Sequence, residues 1–438
     1  MLDILKEIIL DFQEQPLNTG IPRNLELTPI PGKAAVCIGV RRSGKSTFML
    51  QQIKKLLDSG VSPQNFLYLN FFDDRLHHLQ HDRPAVILEA FFSLYPEKKN
   101  TEKIYCFFDE IQVIPGWESF VDRVMRTENS EVYITGSSAR MLSKEIATQM
   151  RGRALSWELF PFSFHEFLAF KKLKVNGSLS TKKRLLVQQA FDEYQQSGGF
   201  PEVAGLNRTL RIKIHQEYFN ATLFRDLVER HNISHPKAVI DLAHRLMDNI
   251  ASLYSINKLT NYLQSLGHRA PKSAVSDYLA WFEDAFFLFT VRIFDASLTR
   301  TNSNPKKIYC VDHAMVTSVS SSILVNAGHL LENLVFMALR RITPDIFYYK
   351  NKGGKEVDFI ALLTDGSRLL VQVCESMAAP KTRKREISAL SEAMGELKIN
   401  AGTIVTRTEE EQIEVASGVI EVVPAYRFLL NLPDCAKE

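Results

Sequence analysis

The chain has 438 residues, of which 45% are hydrophobic and 24% charged, a composition typical of a folded globular protein rather than a disordered or collagen-like one. At roughly 150 residues per domain, the length predicts several domains with separate cores. The formal net charge of +3 excludes a molecule that binds nucleic acid or anionic lipid as an overall polycation, so any such contact needs a local patch.

Neither a membrane anchor nor a disulfide framework is expected. Apolar runs such as residues 104–108 are much shorter than the roughly 18 residues that span a bilayer, and acidic residues interrupt the N-terminal segment where a secretion signal would be hydrophobic. The five cysteines are scattered without a C-x-x-C pair, which favours buried thiols in a reducing compartment. We therefore expect a cytoplasmic protein that makes no membrane contact.

The first 160 residues predict a parallel sheet covered by helices on both faces. Leucine, isoleucine and phenylalanine recur at three- and four-residue steps in residues 2–13, the spacing of an amphipathic helix. Strands that are apolar throughout are typical of parallel sheets buried on both faces. Such runs follow at residues 34–39, 66–71, 104–108 and 132–135.

A phosphate-binding motif lies between the first of these strands and the helix that follows it. Residues 39–46 satisfy G-x-x-x-x-G-K-[ST], in which glycines let backbone N–H groups surround phosphates, Lys45 reaches the β and γ phosphates and Ser46 binds Mg²⁺. The sequence therefore predicts a site for ATP and Mg²⁺. Its expected nucleotide-binding residues are Gly39, Arg41, Arg42, Ser43, Gly44, Lys45, Ser46 and Thr47.

A second buried strand ends in the acidic pair Asp109 and Glu110. Asp109 would orient the waters of Mg²⁺, and Glu110 would polarise the water that attacks the γ-phosphate. The alternative for Glu110 is a capping residue of the following segment. Because the strand at residues 66–71 comes between the two motifs, we expect the class in which an extra strand separates the phosphate-binding strand from the acidic one.

Polar and basic residues after the strand at 132–135 are further candidates for catalysis. Ser137 or Ser138 could sense the γ-phosphate, although serines after a strand also simply form turns. Arg151 and Arg153 could stabilise transition-state charge in cis or from a neighbouring subunit of a homo-oligomer. The alternative for this arginine pair is a solvated basic loop.

The rest of the chain changes pattern twice. Residues 162–245 are mostly helical, and a helix at 256–266, a turn at Gly267, a second helix and a strand at 286–291 are typical of a winged helix. The C-terminal segment has the order α-β-β-β-α-β.

Taken together, these motifs resemble a family of prokaryotic AAA-type ATPases that carry a C-terminal DUF domain of nuclease-like fold, close to the archaeal ATPase group. The resemblance covers nearly the whole chain and implies an ATPase core, a helical lid, a winged helix and a nuclease-like domain, but no defined biological role. It depends on the order of the phosphate-binding motif with its two arginines and of the segments 107–112, 134–138, 151–153, 161–167 and 198–202.

The fold prediction is therefore an α/β protein with a P-loop NTPase parallel sheet and a helical lid, followed by a winged helix and a restriction-endonuclease-like α/β domain. The expected divisions are an N-terminal helix and linker at 1–31, the ATPase core at 32–160, the lid at 161–245, the winged helix at 246–300 and the nuclease-like domain at 301–438.

The predicted winged helix offers a thin basic patch. Arg269 and Lys272 could contact DNA phosphates, but such modules also pack against other domains or bind a protein partner. Because Val275, Leu279 and Phe282 follow one face of the second helix, the residues expected to be available to solvent or DNA are Lys272, Ser273, Ser276 and Tyr278.

The C-terminal strands nearly match a nuclease site, which needs an acid on one strand and acid-x-Lys on the next. Asp358 and Glu332 lie where two acids belong, but Gln372 and Cys374 replace the second strand's acid and lysine. We therefore expect a nucleotide-driven switch with an inactive nuclease-like domain. The alternatives are a DNA-processing ATPase with an active nuclease, or a DNA-binding regulator whose ATP site is only structural.

Overall fold

The computed structural model describes residues 1–80, 84–136, 150, 152–175, 177, 179–303, 305–320 and 326–432. The chain divides into two compact units, Met1–Phe160 and Pro161–Glu438. The finer five-part division stays a prediction. Within the described residues, no helix is long and apolar enough to cross a membrane.

The first unit contains one five-stranded sheet in which every pair of neighbouring strands is parallel, in the order β2-β3-β4-β1-β5. Its strands are β1 (Ala34–Ile38), β2 (Phe66–Asn70), β3 (Ile104–Asp109), β4 (Ser130–Gly136) and β5 (Ala154–Glu158). Its described α-helices are Leu2–Glu14, Lys45–Asp58, Ala85–Leu94 and Trp117–Thr127, and short 3-10 helices lie at Pro63–Asn65, Asp74–Gln80, Pro96–Lys98 and Ile111–Val113.

The strand order confirms the predicted class, in which an extra strand separates the phosphate-binding strand from the acidic one. The extra strand is not the one that the sequence suggested. The segment at 66–71 that suggested an inserted strand forms β2 at the edge of the sheet, whereas β4 lies between β1 and β3. The core of the sheet includes the stacked rings of Phe107 and Tyr133, whose centroids are 4.3 Å apart. Burial on both faces explains why these strands are apolar at nearly every position.

The second unit begins with helices and ends with a nine-stranded sheet. Its α-helices are Phe164–Phe170, Thr181–Ser197, Arg208–Ala221, Pro236–Asp248, Ile256–Ser265, Lys272–Asp284, Leu298–Ser303, His313–Val319, Ala327–Arg340, Pro380–Leu397 and Ala425–Asn431, with a π-helix at Thr222–Glu229 and a 3-10 helix at Pro201–Val203. Its strands are β6 (Leu253–Tyr254), β7 (Leu288–Ile293), β8 (Lys306–Cys310), β9 (Ile346–Lys350), β10 (Glu356–Leu362), β11 (Arg368–Val373), β12 (Ala401–Thr406), β13 (Glu411–Val415) and β14 (Gly418–Pro424).

Strand β7 connects the two parts of this sheet, whose order is β13-β14-β12-β11-β10-β9-β7-β8-β6. On one side β7 pairs antiparallel with β8, and on the other it pairs parallel with β9 through Arg292 and Ile293. Strands from both sides of residue 300 therefore belong to one hydrogen-bonded sheet. The predicted α-β-β-β-α-β order is present, and it is followed by a β13–β14 hairpin and a short helix that the sequence did not indicate.

The two glycines of the segment 198–202 allow a close approach to Asp312. The backbone N–H of Gly199 donates to Asp312 Oδ2 at 2.6 Å, and a methyl carbon on Gly198 would lie 2.2 Å from Asp312 Oδ1. Asp312 also caps the helix His313–Val319 by accepting from the N–H of Ala314. The end of one helix is thus fixed to the start of another.

The cysteines agree with the expectation of buried thiols. Cys37, Cys106, Cys310 and Cys374 are free and buried. Cys435 lies outside the described residues.

Candidate functional site

The loop between β1 and the helix Lys45–Asp58 uses backbone conformations that favour glycine. Gly39 and Gly44 have φ of +155° and +97°, and Arg42 between them has φ of +64°. A methyl carbon at Gly39 would lie 2.2 Å from the carbonyl oxygen of Leu159, so no other side chain fits there without movement of the backbone. The loop can therefore curl as phosphate binding requires.

Lys45 is the first residue of the helix that follows this loop and is nearly fully buried. Its Nζ donates to the carbonyl oxygens of Gly39 and Val40 at 3.1 Å each and lies 3.9 Å from Glu110 Oε1. These are mostly neutral acceptors, which phosphate oxygens can replace with a gain in charge attraction. Ser43 Oγ is buried and has no hydrogen-bond partner among the described residues.

The other predicted nucleotide-binding residues are more accessible. Arg41, Ser46 and Thr47 are half-buried, as is Gly44, while Arg42 is exposed.

Asp109 ends β3 and is fully buried beside the start of the phosphate-binding helix. It accepts hydrogen bonds from the hydroxyls of Thr135, Tyr68 and Ser46. Burial raises the pKa of Asp109, and the hydrogen bonds from Thr135 and Ser46 oppose that rise. The structure thus brings together Ser46 and Asp109, the two residues predicted to serve Mg²⁺.

Glu110 follows in the left-handed conformation, with φ of +55°. Its N–H donates to Thr135 Oγ1 at 2.9 Å, and its carboxylate accepts from Gln112 Nε2 at 2.5 Å. The Glu110 side chain makes no capping hydrogen bond to the 3-10 helix Ile111–Val113. The Glu110 side chain is therefore not the cap of this helix, and its catalytic role stays a prediction.

Thr135 is a site residue that the sequence analysis missed. It lies on β4, adjacent to β3, and its hydroxyl contacts both Asp109 and the backbone of Glu110. The available signal was its place at the end of a buried strand, because carboxyl ends of parallel strands meet at one edge of the sheet. The residues chosen instead, Ser137 and Ser138, lie outside the described residues.

Of the two candidate arginines, Arg151 lies outside the described residues. Arg153 donates from Nη1 to Asp122 Oδ1 at 2.9 Å in a half-exposed ion pair on the helix Trp117–Thr127. A role for either arginine at a neighbouring subunit's nucleotide remains a prediction.

Arg23, in the N-terminal link, is a second residue that the sequence analysis missed. Its guanidinium donates to the carbonyl oxygen of Ser43 at 2.7 Å and to that of Phe160, the last residue of the first unit. Gln51 on the phosphate-binding helix donates to the carbonyl oxygens of Thr19 and Ile21. The link is therefore fastened along the phosphate-binding loop and helix.

In the second unit, four charged side chains form what we call the Lys307 cluster: Lys307, Glu332, Glu356 and Asp358. Lys307 Nζ lies 2.9 Å from Glu332 Oε1, 2.8 Å from Asp358 Oδ1 and 2.9 Å from Glu356 Oε1. The sequence analysis found the two predicted acids, Glu332 and Asp358, but placed no lysine beside them. Strand β8 supplies one from a different part of the chain.

Of the two replaced positions, Gln372 contacts this cluster directly. Gln372 Oε1 accepts from the N–H of Asp358 at 3.2 Å, and its Nε2 donates to Glu386 Oε2 at 2.9 Å. Cys374 is buried, and burial raises the pKa of its thiol to about 12, so it stays neutral near pH 7. The amide at 372 thus bridges a buried backbone group to a carboxylate.

The helix Lys272–Asp284 presents most of the surface expected from its sequence. Arg269, Lys272 and Ser276 are exposed, as is Ser273. The expectation for Tyr278 was wrong, because its ring is buried and packs against Trp281 with centroids 5.6 Å apart.

Three family models match the chain in succession. An AAA domain matches residues 31–168, a domain of unknown function (DUF8612) matches 188–323, and a second (DUF4143) matches 327–428. An uncharacterized protein of Methanocaldococcus jannaschii is 35% identical over 98% of this chain and 95% of its own length. An uncharacterized protein of Haemophilus influenzae is 33% identical over 77% of this chain and 81% of its own length.

Similar solved structures are more distant. The chain is 12% identical to AMPPCP-bound DnaA from Aquifex aeolicus, with a TM-score of 0.27 over 63% of this chain and 86% of that one. It is also 12% identical to C. elegans PCH-2, with a TM-score of 0.25 over 48% of this chain and 58% of that one. The strand order of the first sheet and the match to the AAA domain identify the fold of the first unit.

Proposed function

Because this chain belongs to the family of AAA-domain proteins that continue with the domains DUF8612 and DUF4143, we propose that it is a Mg²⁺-dependent ATPase whose nucleotide state acts as a switch. The observation that carries the proposal is the arrangement of Lys45, Asp109 and Glu110 around a glycine-dependent loop. The nucleotide state would control the helical and winged-helix segments of the second unit.

The residues of the phosphate-binding loop fit a nucleoside triphosphate. At Gly39 the loop backbone passes close to the carbonyl oxygen of Leu159, an approach that a methyl carbon would block. The buried Ser43 hydroxyl can donate a hydrogen bond to a ligand oxygen. The ammonium of Lys45 would exchange its two carbonyl contacts for phosphate oxygens.

The Ser46 hydroxyl and the Asp109 carboxylate form the oxygen-donor set that Mg²⁺ prefers. When bound with ATP, Mg²⁺ supplies positive charge against the negative charge on the phosphoryl oxygens. Thr135 holds both acids in place, and Glu110 accepts a proton from the attacking water at its carboxylate.

Arg23 supports the switch, because it joins the phosphate-binding loop at Ser43 to the final residue of the first unit, Phe160. A change in loop geometry that moves Ser43 would change one of these two hydrogen bonds. The chain enters the second unit at the next residue, Pro161, whose carbonyl oxygen accepts from Arg341 Nη2. We propose that nucleotide state is transmitted along this route.

For the partner, we propose DNA or a protein at the exposed face of the winged helix. Arg269 and Lys272 are exposed there and available to phosphates. The helices Pro236–Asp248, Ile256–Ser265 and Lys272–Asp284, together with the antiparallel strands β6, β8 and β7, support a winged helix.

The proposal is tested by measuring ATP turnover of the full chain alone and with double-stranded DNA, single-stranded DNA or RNA. We expect Mg²⁺-dependent turnover, and stimulation by one of these would identify the partner class. Failure to bind ATP would overturn the proposal. Salt-dependent duplex binding that is unaffected by nucleotide would instead favour a regulator with a structural ATP site.

We further propose that the C-terminal domain does not cut DNA, because Gln372 and Cys374 provide neither the acid nor the ammonium of a nuclease strand. Plasmid and linear duplex should stay intact with Mg²⁺ or Mn²⁺, with or without ATP. Cleavage that disappears in Asp358→Ala would contradict this and favour an active nuclease.

A further inference from the structure

The Lys307 cluster collects carboxylates from two elements around one point. Glu332 comes from the helix Ala327–Arg340, and Glu356 and Asp358 come from β10. An ammonium has three N–H donors, and each donor of Lys307 has a carboxylate oxygen within 2.9 Å. The ammonium donates hydrogen bonds to Glu332 and Asp358 and forms an additional ion pair with Glu356.

Burial makes this charge balance important. The side chains of Lys307, Glu332 and Asp358 are only 4%, 10% and 10% exposed. Burial lowers the pKa of Lys307, but the attraction of Asp358, Glu332 and Glu356 outweighs that effect, so the pKa lies well above its ordinary value. Without this ammonium, the buried carboxylates of Glu332 and Asp358 would lack compensation beside the partly exposed Glu356, which is costly.

Two of these acids have further hydrogen-bond partners that hold their side chains around the ammonium. Asp358 Oδ2 accepts from the N–H of Val373 at 2.9 Å, and Glu332 Oε1 also accepts from the hydroxyl of Tyr309 at 2.7 Å. Glu386 is held by Gln372 and by Arg385. Within the described part of the chain, no group of three His, Cys, Asp or Glu side chains is arranged to hold a metal ion.

We propose that the Lys307 ammonium is the resident cation of this acidic site and takes the place that a divalent metal would occupy. It fixes β8 to the helix Ala327–Arg340 and to β10. This inference deepens the proposed lack of nuclease chemistry and does not depend on ATP hydrolysis. It implies that removal of the ammonium alone leaves acidic side chains whose uncompensated negative charge attracts a divalent cation.

The test compares the full-length wild type with Lys307→Met in nucleotide-free buffer. Mn²⁺ binding is measured by electron paramagnetic resonance and calorimetry, and stability by thermal unfolding with and without Mn²⁺. We expect Lys307→Met to unfold at a lower temperature than the wild type without metal, to bind Mn²⁺ at least about tenfold more tightly, and to recover stability when Mn²⁺ is added.

The control variant Lys307→Met, Glu332→Gln, Asp358→Asn removes the buried charges together. It should fold without metal and should not respond to Mn²⁺. If Lys307→Met fails to fold, folding of this control supports the proposal, and its failure to fold contradicts the proposal.

Two further results would overturn the proposal. One is a folded Lys307→Met that gains no Mn²⁺ affinity. The other is nucleotide-free wild type that binds Mn²⁺ as tightly as Lys307→Met and loses that binding in Asp358→Asn, because the metal would then displace the ammonium. Since no readout uses ATP, failure here leaves the ATPase proposal untouched, and failure of ATP binding leaves this one untouched.

Discussion

Lys45 and Lys307 are both buried next to carboxylates, and their surroundings differ. Lys45 contacts two neutral carbonyls and has one carboxylate at 3.9 Å, whereas Lys307 has three carboxylates within 2.9 Å. The first ammonium can gain by exchanging its partners for phosphate oxygens. The second already has a full set of charged partners, so a buried lysine beside acids is not by itself evidence of a ligand site.

The largest expected effect is a loss of ATP turnover when Glu110, in the first region, is changed. Glu110→Gln should keep ATP affinity within about threefold but lower turnover by about 10²–10⁴, because the amide cannot accept the proton of the attacking water. Calorimetry and phosphate release would measure the two quantities. Turnover at the wild-type rate would show that another residue is the base.

The two lysines can be compared directly in one ATP titration. Lys45→Ala should bind ATP at least about 100-fold more weakly, because charge-assisted contacts of roughly 3 kcal/mol are lost. Lys307→Met is the matched control and should keep the wild-type affinity. Equal affinity of Lys45→Ala and the wild type would remove the nucleotide-site assignment.

A smaller effect is expected where the first region joins the second. Arg23→Ala loses hydrogen bonds to Ser43 and Phe160 and should weaken ATP binding by roughly fivefold, or about 1 kcal/mol. Any stimulation by a partner should fall more than basal turnover does. If binding, basal turnover and stimulation are all unchanged, Arg23 has no part in the switch.

The smallest effect is a pH dependence confined to the second region. Burial and the nearby Asp358 raise the pKa of Glu332 above its ordinary value, and the ion pair with Lys307 opposes that rise, so the folded state binds a proton more readily than the unfolded state. The free energy of unfolding should therefore decrease as pH rises above about 4.5 and through the raised pKa. Denaturant titrations of Glu332→Gln should lack this contribution; an unchanged slope would contradict it.

The sequence was informative where chemistry is local. Residues 39–46 carry the phosphate-binding loop in one continuous motif, and the apolar strands identified the parallel sheet. Arg23 could not be found this way, because its partner Phe160 lies 137 residues away and the link has no periodicity. Lys307 and Asp358 are 51 residues apart, and their strands are not neighbours in the sheet.

In the second region, the two residues found in place of the expected acid and lysine were an incomplete guide to the site. Gln372 and Cys374 correctly indicated that this strand lacks an acid and a lysine, and the structure places an amide and a neutral thiol there. Nothing in that strand shows that β8 supplies an ammonium. Tyr278 was misassigned because helix spacing alone does not reveal that Trp281 covers its ring.

Strand β7 pairs with β8 along one edge and with β9 along the other, and this limits where the polypeptide can be shortened for expression. A truncation near residue 300 would remove β9, and one near residue 325 would do the same, so either would leave a hydrogen-bonding edge of β7 exposed. Such edges promote aggregation and strand exchange between molecules. Shortened proteins should instead end near Phe160, and the two domains of unknown function should be produced as a single piece.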